Sequence, residues 1–108
     1  MNWAFLPEAE QELRESARFY EEKASGVGIS FIAEIHKAVA FIGQNPYSAK
    51  DIGSGIRKKV LNHFPYNILY SIEAGSILII AVAHQKRRPN YRGVRTERLK
   101  NQRNRKKK

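Results

Sequence analysis

His84, Lys86, Arg87, Arg88 and Tyr91 follow directly on the apolar run Ile77–Ala83. A buried strand that ends in a histidine, several cations and a tyrosine delivers them to one edge of a small domain, an arrangement suited to a polyanion. Histidine is the side chain whose reference pKa lies near neutrality, so His84 is the natural acid or base of the group. Tyr91 can orient a hydroxyl or stack on a base. A second group, Arg57, Lys58 and Lys59, lies upstream. On a strand, alternation puts Arg57 and Lys59 on one face and Lys58 with Val60 on the other. Plainer uses compete for each residue. Arg57 and Lys59 suit solvated strand charges or partners for acidic side chains, His84 can bond a loop carbonyl, and Tyr91 can cap the sheet. His36 and His63 read as surface residues, and Tyr66 and Tyr70 as packing residues.

The charge is unevenly spread. The chain of 108 residues has a formal net charge of +10. Twelve of its 20 Lys and Arg and one of its ten acids, Glu97, lie from Lys86 onward. Residues 1–85 therefore hold eight cations and nine acids, a body near neutral, and the C-terminal stretch carries the excess. Such asymmetry points to nucleic acid, the ribosome or an acidic protein as partner. There is no cysteine, which excludes disulfides and thiolate metal sites and fits a reducing cytoplasm. No metal or other cofactor is expected. Met1–Pro7 lacks the basic start and apolar stretch of a signal peptide. The run Ile77–Ala83 is too short to span a bilayer, so no membrane association is expected.

The elements that must position these groups follow from periodicity. Asn2–Leu6 reads as a short strand. Pro7 suits the first turn of a helix, with Glu8, Glu10 and Glu12 where the dipole favours anions. Ala9, Leu13, Ser16, Ala17 and Tyr20 give its apolar face, and Ser25-Gly26 ends it. A second helix runs from about Val27 to Gly43, with Phe31, Ile35, Val39 and Ile42 on its core face and Ile32 and Ala38 beside them. Asn45-Pro46 terminates it. Three strands follow, Ile56–Asn62, Tyr66–Glu73 and Ser76–His84, and their short connections predict an antiparallel meander. The last is apolar on both faces and therefore central. The fold class is α+β: a mainly antiparallel sheet in the order β-α-α-β-β-β, packed with an N-terminal helical hairpin. Residues 1–91 form one domain, and residues 92–108 form a basic, flexible tail. Arg95–Lys100 could make a helical turn or two, and the tail adds almost nothing to the apolar core, so deleting residues 94–108 should leave the fold intact.

Four pieces in this order resemble the RelE/ParE superfamily of toxins from bacterial type II toxin–antitoxin modules. FLPEAEQELRESARFYEEK looks like the family's first strand and helix, and GISFIAEIHKAVAFIGQNP like its second helix with the closing Asn-Pro. GIRKKVLNHFPYNILYSIEAGSILIIAVAH looks like the meander, and HQKRRPNY like the C-terminal motif. The resemblance covers roughly residues 3–91. Where relatives commonly carry a tryptophan after the tyrosine, this chain has Arg92. The resemblance implies a cytoplasmic toxin bound and silenced by a cognate antitoxin in a hetero-oligomer.

Two mechanisms occur in such proteins. RelE-like members cut mRNA on the ribosome without a metal, and ParE-like members poison DNA gyrase. Metal-free RNA cleavage needs a base, an acid and cations for the charge on phosphorus. If the chain is a nuclease, His84, Arg87, Tyr91, Arg57 and Lys59 are the residues to supply them, with Lys86, Arg88 and Arg92 as target-binding cations. RelE-like nucleases usually place an arginine on the middle strand of the meander. The segment Tyr66–Ile72 has no cation at all. The resemblance therefore favours the ParE-like side, with a ribosome-dependent endoribonuclease as the alternative.

Overall fold

The computed structural model describes residues 1–86 and Arg95. The elements run β1 (Trp3–Phe5), α1 (Pro7–Lys23), α2 (Val27–Gln44), β2 (Ile56–Val60), β3 (Tyr66–Glu73) and β4 (Ser76–His84). Pro7 opens α1, and Glu8 and Glu10 sit in its first turn, where a fixed φ and negative charge both favour a helix start. The connection to α2 is tight. Gly26 takes a left-handed φ of 88°. Glu21 of α1 then accepts the N–H groups of Gly26 and Gly28 at 2.9 and 3.0 Å, capping α2 from the helix before it. A Cβ on Gly28 would lie 2.4 Å from the Ala17 carbonyl oxygen. Glycine there lets the two helices close.

The four strands form one sheet in the order β1-β4-β3-β2. β2, β3 and β4 are an antiparallel meander, as their short turns predict. β1 joins β4 in parallel, pairing Trp3 with Ile77 and Phe5 with Ile79. That pairing is possible because the helical hairpin returns the chain across the sheet. β4 is central, as its double apolar character requires. β2 stops at Val60 rather than the expected Asn62. The N–H of Leu61 closes on the Tyr66 carbonyl, and the N–H of His63 is taken by Glu34 of α2.

The main core lies between helices and sheet, where Phe31, Ile35, Val39 and Ile42 of α2 meet Tyr66, Ile68, Tyr70 and Ile79. A smaller cluster of Ile56, Leu69, Ile80 and Ala81 occupies the other side of the sheet. By length and composition α2 is apolar enough to cross a membrane, yet its inner stripe is the core of this domain. Ile32, expected beside that stripe, is exposed.

Candidate functional site

His84 ends β4 directly opposite Tyr66. Its ring stands edge-on to that tyrosine at 5.2 Å. Tyr66 in turn packs with Tyr20 and Phe31, and both of these meet Phe64, so the imidazole is seated on the aromatic end of the core. Burial and the neighbouring Tyr66 push the Tyr20 hydroxyl above its ordinary pKa, keeping it neutral. His84 Nδ1 accepts the Lys86 N–H at 3.1 Å, and the Gln85 N–H reaches the Pro65 carbonyl. These two bonds fix the point where the chain leaves the sheet. The first also commits Nδ1 as an acceptor, leaving Nε2 as the nitrogen with a proton to offer. His84 is half-buried and Lys86 is exposed. The other motif residues, Arg87, Arg88, Tyr91 and Arg92, lie outside the described residues, as does the expected flexible tail apart from Arg95.

Arg57 and Lys59 share the helix-facing side of β2, as alternation predicts, but the fold uses both locally. Arg57 donates to the Ala49 carbonyl at 2.6 Å and lies 5.2 Å from the Tyr47 ring centre. It thereby ties the loop after α2 to the edge strand. Beside it, Tyr70 donates its hydroxyl to the Pro46 carbonyl at 2.7 Å. Burial raises the Tyr70 pKa, and the Arg57 charge only partly offsets this. Lys59 places its ammonium 4.6 Å from the centre of the Phe41 ring.

Neither cation is brought to the histidine. Arg57 pairs with Tyr70 and His84 with Tyr66, so they are two strands and four residues apart. At ordinary strand spacing and rise their backbones are about 16 Å apart, and those of Lys59 and His84 about 12 Å. No cation of β3 stands between them. Among the described residues, no three His, Asp or Glu side chains cluster as a metal site.

One basic residue beyond the motif has an unexpected place. β3 and β4 shift register between Leu69 and Tyr70, which leaves Ile80 as an extra residue in β4. β1 reaches only to Ile79. Arg95 fills the gap, donating to the Ile80 carbonyl at 2.9 Å and to both carboxylate oxygens of Glu12 at 3.1 Å. The same Glu12 accepts the Val82 N–H at 3.1 Å. Together the two side chains satisfy the donor and acceptor that a longer β1 would have met. Both are largely buried, at 9% and 13% exposed. The expectation that the stretch from residue 94 is only an appendage therefore does not hold at Arg95. Glu12 gave a faint signal, an acid bordering the apolar stripe of α1; Arg95 gave none, being one cation among many.

The family model for the ParE toxin of the type II toxin–antitoxin system parDE matches residues 4–89. The chain belongs to the ParE toxin family. No curated protein matches it. Its fold is similar to a solved chain of the chromosomal ParDE toxin–antitoxin system from P. aeruginosa, with a TM-score of 0.70 and 16% identity over 78% of this chain and 95% of that one. The ParE match ends inside the basic motif, so the helical hairpin, the meander and His84 all belong to the shared toxin domain, whereas Arg95 lies beyond it.

Proposed function

We propose that this ParE-family toxin acts by binding and inhibiting DNA gyrase, the activity associated with ParE-like members, and that a cognate antitoxin neutralises it in the cytoplasm. The observation that carries the reading is that, among the described residues, the candidate cations stand apart from His84. Cleavage of RNA by a neighbouring 2′-OH requires base, acid and charge-stabilising groups around one phosphate, within hydrogen-bond reach. Arg57 is committed to Ala49 and Tyr47, Lys59 to Phe41, and both stand far from His84. A protein-binding inhibitor needs no such convergence. It needs an exposed surface, and the end of β4 offers one, with His84 half-buried and Lys86 exposed.

The test is expression of the chain alone with two readouts, a DNA-damage reporter and the rate of protein synthesis. Early induction of the reporter while synthesis continues is the expected result. Immediate arrest of synthesis with cut mRNA, abolished by His84→Ala with Arg87→Ala, would assign the chain to the endoribonuclease reading instead.

A further inference from the structure

Two lysines face each other across the gap between α2 and β2. Lys37 is exposed on α2, and Lys59 is half-buried on β2. Among the described residues, neither forms an ion pair with a carboxylate. Lys59 is held 4.6 Å from the centre of the Phe41 ring. A ring face positions an ammonium without taking up any of its three N–H donors. Lys59 differs in this from Arg57, whose guanidinium already donates to the Ala49 carbonyl.

Both lysines line one groove of about 250 Å³, with apolar surface from the buried Ala38 and Leu61. Phe41 lies at one end and is still 45% exposed. Two turns back along α2, Glu34 marks the other end, and Lys37 stands about one turn from each. Glu34 accepts the His63 N–H at 3.0 Å and meets the ring Nδ1 at 2.5 Å. Its carboxylate is thereby engaged by the turn after β2, and Nε2 is the ring nitrogen left for a ligand. The charges lining the groove are Lys37 and Lys59 against Glu34, with one more positive charge whenever His63 is protonated. The balance is positive in both states, so an anion is the complementary ligand.

The residue types narrow its class. An ammonium meets a phosphate as a point charge and lacks the planar fork with which arginine grips a carboxylate. Phe41 offers a ring to a flat organic group, as aromatic side chains do to nucleobases. A groove for a nucleic-acid strand repeats its rings and cations, and this one has a single set. Its volume, just under the roughly 300 Å³ at which drug-sized pockets begin, fits a small ligand.

We propose that the groove between α2 and β2 binds a nucleoside monophosphate. The base lies at the Phe41 end. The phosphate lies toward Lys37, with the charge of Lys59 across the groove and His63 Nε2 beyond. The site goes beyond the gyrase reading and does not depend on it.

The probe is adenosine 5′-monophosphate, titrated by calorimetry into the full chain and its Lys37→Gln, Lys59→Gln and Lys58→Gln variants. The C-terminal stretch is itself basic, so the variants decide the site. Equal melting temperatures verify folding, and Lys37→Gln carries the test alone if Lys59→Gln melts early. Lys37→Gln and Lys59→Gln should each weaken binding about tenfold. Lys58→Gln, an equal charge change on the opposite face of β2, should bind as the parent does. Phe41→Leu should weaken binding of the nucleotide and leave that of inorganic phosphate unchanged. A short 5′-phosphorylated oligoadenylate that binds more tightly than the mononucleotide, with the same losses, would keep the site and give it the end of a strand. Equal binding by the parent and all the lysine variants would place the nucleotide elsewhere on the chain and overturn the groove. No binding by the parent would overturn it as well. Neither of these results bears on gyrase inhibition.

Discussion

The edge strand β2 and the end of the central strand β4 look alike in sequence, since each carries a short run of cations. In the fold they differ. β2 spends its inward-facing charges on its own neighbours: Arg57 ties down the loop after α2, and Lys59 covers Phe41. β4 ends with His84 held by one backbone bond and with Lys86 exposed. A third case, Arg95, has the look of a tail cation and the contacts of a core residue. Positive charge alone therefore does not mark a site in this protein. What separates the groups is whether a carbonyl, carboxylate or ring of the same domain has already claimed the cation.

That distinction can be broken at several points. The largest effect is expected at the Glu12–Arg95 pair, where Arg95→Ala would leave a buried carboxylate and the Ile80 carbonyl without the guanidinium. A loss of about 3 kcal/mol in urea unfolding is expected, and truncation before residue 95 should cost as much, instead of leaving the fold untouched. An unchanged denaturation midpoint for both would return Arg95 to the tail. Next comes Arg57→Ala, which removes a loop tie worth about 1–2 kcal/mol and should leave growth inhibition intact once the protein is folded. Loss of inhibition at full stability would move Arg57 into the functional group.

The converse holds for His84→Ala with Lys86→Ala. Stability should change by about 1 kcal/mol or less, since one ring contact is lost, while growth inhibition falls at matched protein levels. Full inhibition by that variant would show that the end of β4 is no more functional than β2. The smallest effect lies where Glu34 of α2 meets His63. Burial alone would raise the Glu34 pKa, but the N–H and ring of His63 outweigh it, and the carboxyl sits below its ordinary value of 4.5. A carboxyl depressed in the folded state stabilises above its unfolded pKa and loses that contribution as pH falls through the folded value. A slight acid-side decline in melting temperature, from about pH 4.5 downward and absent in Glu34→Gln, is the expected signature. It should be small because His63 is exposed to solvent.

Most of the scaffold was legible because it rests on local rules. Pro7, the 3.6-residue stripes of α1 and α2, Asn45-Pro46 and the Ala74-Gly75 turn are signals carried by adjacent residues, and each element formed where they place it. The central position of β4 followed from its lack of a polar face. Long-range choices were not legible. Nothing in Trp3–Phe5 tells that it pairs in parallel with β4, and no pattern links Glu12 with Arg95, 83 residues away. That Arg57 and Lys59 share a face was readable from alternation; that this face meets the helices, and their separation from His84, were not, because both depend on the register of three strands. Ile32 misled for a related reason. Its helical phase suits the core, but the outer face of α2 is apolar as well, so hydrophobicity alone did not mark the boundary of burial.

The central claim is that the chain inhibits by binding a protein and not by cutting RNA. The most direct measurement is DNA supercoiling by purified gyrase, titrated with the purified chain, with and without a cognate antitoxin. The account predicts that supercoiling falls as the chain is added and recovers when the partner is supplied. Unchanged supercoiling at saturating toxin, from a preparation that still arrests growth, would contradict it.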